Sequence, residues 1–270
     1  MSQYKVSVIM ASYNCEKYIS DAIQSLLDQT FQDWELVVCD DCSTDNTYQI
    51  LKGYAEKYPD KFQVLHNEKN LRLAASLNRC IEYTRGEYIA RMDDDDVSLP
   101  ERFAKEVAYL DAHPDISFVS ANINLFDEDG IWGVRKCSVE LNPRNIYRYH
   151  PIVHPTVMIR KKDLVEVGGY TVSALTSRTE DYDLWCKLMH ANKKAYNLDE
   201  IVLNYRENRT SMKKRKFQFR VDACKLALHW RKKLGLPVSE NYYAYKHILH
   251  GLVPQVLIRY YHKRKFGKNL

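Results

Sequence analysis

Four consecutive aspartates, Asp93 to Asp96, follow the strand-like run Glu87 to Met92. Carboxylates this close repel one another, and the repulsion calls for a cation or buried donors to offset it. In an extended segment Asp93 and Asp95 point to the same side, where they can share an ion. Mg²⁺ and Mn²⁺ take oxygen ligands, and Mg²⁺ is commonly held by one or two carboxylates together with substrate phosphates. The plain alternative is a solvated acidic turn, against which the place at a strand end counts. Asp40 and Asp41 end a second apolar run, Trp34 to Cys39, and Ala11-Ser12-Tyr13-Asn14 ends a first, Val6 to Met10. Glu180-Asp181 opens a helical pattern. Judged on residue types alone, a helix cap is its preferred role, since acids favour helix N-termini. His154, before Pro155, can be a functional or a structural imidazole, and nothing else in the sequence fixes its position. Arg206 is a candidate for phosphate, with Arg209 and Lys213 as competitors.

Strand ends are the place for such groups if the elements alternate. Val6 to Met10 reads as a strand, and Tyr18, Ile19, Ala22, Ile23, Leu26 and Leu27 follow at helical spacing. Trp34 to Cys39, Phe62 to Leu65 and Glu87 to Met92 repeat the strand pattern, with helices between them and from about Glu101 to Ala112. Strands alternating with helices imply parallel pairing and helices on both faces, a doubly wound α/β sheet. Ligands in such sheets bind beyond the carboxyl ends of the strands. The second half is less regular: a strand from Ile116 to Ala121, a hairpin excursion to Leu141, a strand over Pro155 to Arg160, a turn at Gly168-Gly169-Tyr170, a helix from Asp181 to His190 and a strand from Ile201 to Tyr205. Beyond Lys213 the pattern is helical, with Leu249, Leu252, Val253, Val256, Leu257, Tyr260 and Tyr261 on one stripe that Pro254 interrupts.

Several classes fall away. No Gly-rich phosphate loop follows the first strand, which removes P-loop NTPases and dinucleotide dehydrogenases. Cys39-Asp40-Asp41-Cys42 has the spacing of a redox pair, but its two central acids should raise a neighbouring thiol rather than activate it. A zinc site lacks a second cysteine pair. Seven scattered cysteines make an odd count, which suits reduced thiols better than an exported disulfide framework. No run approaches the roughly 18 apolar residues of a membrane span. With 45% hydrophobic and 28% charged residues the chain can bury a large core.

The segment Val6 to Thr47, with Ser-Val-Ile-Met-Ala-Ser-Tyr-Asn and Trp-Glu-Leu-Val-Val-Cys-Asp-Asp-Cys-Ser-Thr-Asp-Asn-Thr, resembles the opening of family 2 glycosyltransferases. The resemblance continues through Asn70, Leu77-Asn78, Gly86 to Asp96, Leu99 to Arg102, Gly168-Gly169-Tyr170 and Glu180 to Trp185, covering about residues 5–206. It implies a GT-A fold and inverting transfer of one sugar from a nucleotide-diphosphate sugar, with a UDP-sugar favoured. The implied units are a glycosyltransferase domain over 1–206, with a nucleotide-binding half at 1–100 and an acceptor-binding half at 101–206, and a basic helical extension at 207–270. By the same resemblance Ala11, Tyr13 and Asp41, with Asp40 beside them, hold the nucleobase. Arg72, where family members more often carry Gly, contacts base or phosphates. Asp93-Asp94-Asp95 is the D-x-D element, with Asp95 and Asp93 on Mn²⁺ or Mg²⁺ and Asp93 or Asp94 reaching ribose or diphosphate. Asp181 becomes the base that takes the acceptor proton, with Glu180 nearby, and His154 and Arg206 become candidate acceptor or diphosphate contacts.

The acceptor implied is a glycan, lipid-linked in capsule, O-antigen or other surface polysaccharide synthesis, and the sugar a hexose or N-acetylhexosamine. No Q-x-x-R-W segment follows the carboxylate pair, which disfavours processive synthases. Residues 206–270 hold 17 Lys or Arg against three acids, so a body of charge −9 carries a tail of +14. A basic tail with an apolar stripe reads as a membrane-surface helix, suiting a peripheral protein at the cytoplasmic face of the cell membrane. The alternative is an ordinary amphipathic helix packed on the body and partly neutralising it, and both can hold for different faces. No nucleic-acid module is visible. A metal-dependent nucleotidyltransferase and a non-catalytic membrane-docked interaction protein are the alternatives. The first would want a Gly-rich basic loop after strand one, and the second a degenerate acid site.

Overall fold

In the computed structural model, which describes residues 3–137, 140–207 and 217–252, side-chain alternation sets the layers. Val6, Val8 and Met10 of β1 (Tyr4–Ser12) turn to one core and Ile9 to another. The same split divides Leu36 and Val38 from Val37 and Cys39 in β2 (Trp34–Asp40), and Tyr88 and Ala90 from Ile89 in β4 (Gly86–Arg91). A strand with apolar residues on both of its faces must be covered on both, which is what crossover helices supply. The first core takes α1 (Ile19–Leu27), α2 (Thr47–Lys57) and α4 (Arg102–Ala112). The second takes α3 (Leu73–Tyr83), α5 (Pro143–Tyr149), α6 (Lys161–Glu166), α7 (Glu180–His190), α8 (Phe217–Lys233) and α9 (Asn241–Leu252).

The remaining strands are β3 (Phe62–His66), β5 (Val97–Ser98), β6 (Ile116–Asp127), β7 (Gly130–Arg135), β8 (Met158–Arg160) and β9 (Lys194–Arg206). They join one sheet in the order β3-β2-β1-β4-β8-β6-β9-β5, with β7 as a hairpin on β6. β3, β2, β1 and β4 are parallel, and β8 runs antiparallel between β4 and β6. The chain winds outward from β1 to β3 and then returns to β4 on the other side of β1. That reversal opens a crevice at the carboxyl ends of β1 and β4, where such sheets bind ligands.

The strand expected over Pro155 to Arg160 is a 3₁₀ turn at His154–Thr156 followed by three strand residues. Proline has no N–H for a ladder, and Thr156 bonds back to Val153 O through both N and Oγ1. β9 starts seven residues before Ile201 because its first half is polar and half exposed, yet pairs with β6 along its length. The described part of the extension lies on the body. Trp230 Nε1 donates to Asp183 Oδ1 at 2.8 Å, and buried Glu240 accepts from Arg144 Nε at 2.8 Å and Arg148 Nε at 2.6 Å. Leu249 is exposed. The rest of the predicted stripe, Leu252 to Tyr261, falls outside the residues whose side chains are described.

Candidate active site

β4 ends at Arg91, and the chain turns sharply through the four aspartates before β5. The turn sorts them. Asp93, Asp95 and Asp96 each bring one oxygen to within 4.8 Å of the others. Asp94 faces elsewhere, its Oδ2 accepting from Ser12 Oγ at 2.6 Å and Tyr13 N at 3.3 Å, so it ties the acid turn to the loop after β1. Asp96, not counted among the expected ligands, is thus the third carboxylate of the cluster. It is fully buried, with Oδ1 accepting from Arg206 N at 2.8 Å and Oδ2 lacking a hydrogen-bond partner. Burial, then the charges of Asp93 and Asp94, push Asp95 up to about 7. Burial also raises Asp94 and lifts Asp96 well above the usual carboxylate range. An all-oxygen donor set, mutually repelling and with an unsatisfied buried oxygen, fits Mg²⁺ or Mn²⁺.

Two arginines brace the cluster. Arg91, buried, pairs with Asp93, while its Nε and Nη1 have no partner. Its charge also acts on Asp95, Asp96, His154, Tyr170 and Glu180, linking the acid turn to the carboxylate pair at the start of α7. Arg206 Nε donates to Asp95 O at 2.8 Å, and its guanidinium lies 4.1 Å from the Tyr18 ring centroid and 4.4 Å from that of Phe126. Arg206 therefore holds the acid turn in shape as well as lying beside it.

The loops after β1 and β2 lock together. Asn14, at φ 51°, accepts from Thr44 N at 2.8 Å and donates its own N–H to Ser43 Oγ at 3.0 Å. Tyr13 is half exposed beside them and Ala11 half-buried. Asp40 is buried, bonding Ser43 N at 3.1 Å and His66 Nδ1 at 3.0 Å. Asp41 accepts from Asn67 Nδ2 at 2.7 Å, Leu71 N at 2.8 Å and Arg72 N at 2.8 Å, gathering the loop before α3 onto the rim. Arg72 sits at φ 71°, ψ 169°, a region essentially reserved for glycine. Its Nη1 crosses to Ser177 Oγ at 3.2 Å, three residues before Glu180. Cys39 and Cys42 do not form a redox pair, and all seven cysteines are free. The Cys39 thiol is lowered, first by its hydrogen bond with buried Cys80, not raised as the flanking acids suggested.

Thr179 stands at the N-cap position of α7 with no capping bond from its side chain, and Glu180 and Asp181 occupy the first turn. Asp181 Oδ1 accepts from Tyr182 N at 2.8 Å, so the capping role is real. Burial raises Glu180 above its ordinary value. Asp181 also lines a cavity of about 180 Å³ with His150, Arg178, Tyr182, Arg220 and His247. His154 is buried, bonded through Nε2 to Tyr170 Oη at 2.7 Å, and burial lowers its pKa well below the ordinary value, so the ring is neutral. Sequence reasoning missed Arg91, although a charge inside an apolar strand was its signal. It also missed the cavity's basic side chains, of which Arg220 and His247 reach Asp181 only through the packing of the extension.

A doubly wound sheet whose switch-point crevice carries a cluster of three carboxylates, with a further carboxylate pair at the start of a helix, has the plan of a GT-A transferase. The family comparison gives the narrower placement. The description "Glycosyl transferase family 2" matches residues 7–169, and the chain belongs to that family. It is 38% identical to EpsE of Bacillus subtilis, assigned to the glycosyltransferases, over 97% of this chain and 94% of that one. It is 30% identical to the Escherichia coli UDP-Glc:α-D-GlcNAc-diphosphoundecaprenol β-1,3-glucosyltransferase WfgD, over 81% and 83% of the two chains. The crystal structure of S. aureus TarS 1-349 in complex with UDP superposes with TM-score 0.69 at 24% identity, covering 91% of this chain and 70% of that one, which confirms the GT-A fold.

Proposed function

We propose that this chain is an inverting transferase that moves one hexose or N-acetylhexosamine from a UDP-sugar to a hydroxyl of a lipid-linked glycan during surface polysaccharide assembly, at the cytoplasmic face of the membrane. The observation that carries the donor half is the cluster of Asp93, Asp95 and Asp96 at the switch point, beside the locked loops at Ala11 to Asn14 and Asp40 to Arg72. Asp93, Asp95 and Asp96 would hold the divalent ion, which when bound supplies positive charge to a departing nucleoside diphosphate. Tyr13 offers an exposed ring for a base, next in the chain to Ser12, whose O accepts from Asp41 N, and Arg72 offers a guanidinium for base or phosphate. Arg206 keeps the carboxylates from splaying, and Arg91 holds Asp93 while biasing Glu180 toward its ionised form.

Asp181 is the group to take the acceptor proton. Its Oδ1 is fixed by Tyr182 N, which orients the carboxylate without consuming Oδ2 in that bond. The names of relatives such as WfgD support a lipid-linked acceptor. Among the described residues no helix is long and apolar enough to cross a membrane; the basic extension supports peripheral contact. Calorimetric titration of UDP, GDP, dTDP and CMP, each with and without Mn²⁺, into wild type and Asp95→Ala tests the donor half. Tight binding of UDP that needs Mn²⁺ and is lost in the variant is the expected result. Failure of all four nucleotides to bind folded wild type would remove the proposal.

A further inference from the structure

The cavity beside Asp181 is built by two parts of the chain that are far apart in sequence. Arg178 and Asp181 come from the entry to α7, His150 from the end of α5, Arg220 from α8 and His247 from α9. Three of these sites look arranged rather than incidental. His150 and Arg178 both hold left-handed backbone, at φ 48° and 72°, a conformation that residues with a Cβ seldom adopt. The His150 ring stacks on Tyr182 at 4.2 Å and 5°, and faces the His247 ring at 5.6 Å. The cavity's volume of about 180 Å³ is far more than the roughly 10–15 Å³ that one water requires.

Its lining has one carboxylate against two guanidiniums and two imidazoles, at the amino end of an eleven-residue helix. Arginine is always charged and its planar fork matches phosphate oxygens. The amino end of a helix adds partial positive charge. Both features suit a phosphorylated sugar better than a neutral one. We infer that this cavity is an acceptor subsite for a diphosphate ester, Arg178, Arg220 and His247 receiving the diphosphate while Asp181 faces the sugar hydroxyl next to it. The inference rests on the lipid-linked acceptor proposed above and narrows it: the anchor's diphosphate is read by the body and by the extension together, so α8 and α9 belong to the recognition machinery.

The test uses the full chain in EDTA, where the acid turn, without a cation, repels diphosphate from the donor rim. Inorganic pyrophosphate and geranyl diphosphate are titrated into wild type, Arg220→Ala, His247→Ala and Asp95→Ala, and phosphatidylglycerol vesicles into the first three. Both diphosphates should bind wild type and Asp95→Ala alike, and should weaken by roughly tenfold or more in Arg220→Ala and His247→Ala. Arg220→Lys, which keeps the charge but not the fork, should fall between, and it serves if Arg220→Ala does not fold by circular dichroism. Absence of binding to wild type overturns the inference, as does binding that tightens in Asp95→Ala and is retained in Arg220→Ala, because relief of the acid turn's repulsion would put diphosphate on the donor rim. Vesicle binding that depends on Arg220 while pyrophosphate ignores it also overturns it, in favour of a phospholipid surface. UDP with Mn²⁺ is titrated in parallel: a UDP failure alone removes the donor proposal and leaves the cavity assignment standing.

Discussion

Asp181 does two jobs that a single substitution can separate. Asparagine keeps the Oδ1 acceptor for Tyr182 N, so Asp181→Asn should leave the start of α7 intact while removing the proton acceptor. Transfer should fall by about 10²- to 10⁴-fold, the usual worth of a general base, with UDP affinity unchanged. Near-normal turnover in this variant, measured by release of nucleoside diphosphate, would leave the residue a cap alone. Arg72 makes a second case. Its backbone lies where glycine is at home, a strain of about 1–3 kcal/mol, so Arg72→Gly should raise the melting temperature relative to Arg72→Ala, which keeps the strain. Both variants lose the bond to Ser177 and should lose donor affinity together. If the glycine variant melts below the alanine one, the backbone is not strained there.

At the scale of elements, the strands of the first half were legible because they are buried on both faces and so read as nearly continuous apolar runs: Trp34 to Cys39, broken at Glu35, and Val6 to Met10, broken at Ser7, need no partner to be recognised. The acid turn was legible for the opposite reason, since four carboxylates in a row have no bland place in a fold. What the sequence could not show was how the turn sorts its members. Asp94 was grouped with Asp93 and Asp95, and only the approach of Ser12 and Tyr13 sends it away while Asp96 comes in. The short helices α5 and α6 escaped periodicity because each spans two turns or fewer, although Asn142 before Pro143 carried a start signal: its side chain accepts from Asn145 N. The sequence around His154 is compatible with two roles, because its partner Tyr170 lies on another segment.

At the scale of the whole molecule, the two cores are closed by helices from both ends of the chain, and α8 is anchored through a buried indole to the helix that carries Asp181. Body and described extension should therefore unfold as one unit. Trp230→Phe, which keeps most of the ring but strands Asp183 Oδ1, should cost about 1–3 kcal/mol in a single guanidinium transition. Two separated transitions, with the first alone shifted by the substitution, would show instead that the extension is an independent module.

Of the six described residues other than glycine with left-handed backbone, five stand on the rim or the cavity: Asn14, Cys42, Arg72, His150 and Arg178. Their shared placement has a thermodynamic meaning. Loops bent into such conformations and tied across to each other, as Asn14 is to Thr44, have already surrendered most of their freedom before anything arrives. Association then forfeits little further entropy, and the free and occupied rims should be nearly the same shape, a receptor set in advance rather than one moulded around its guest.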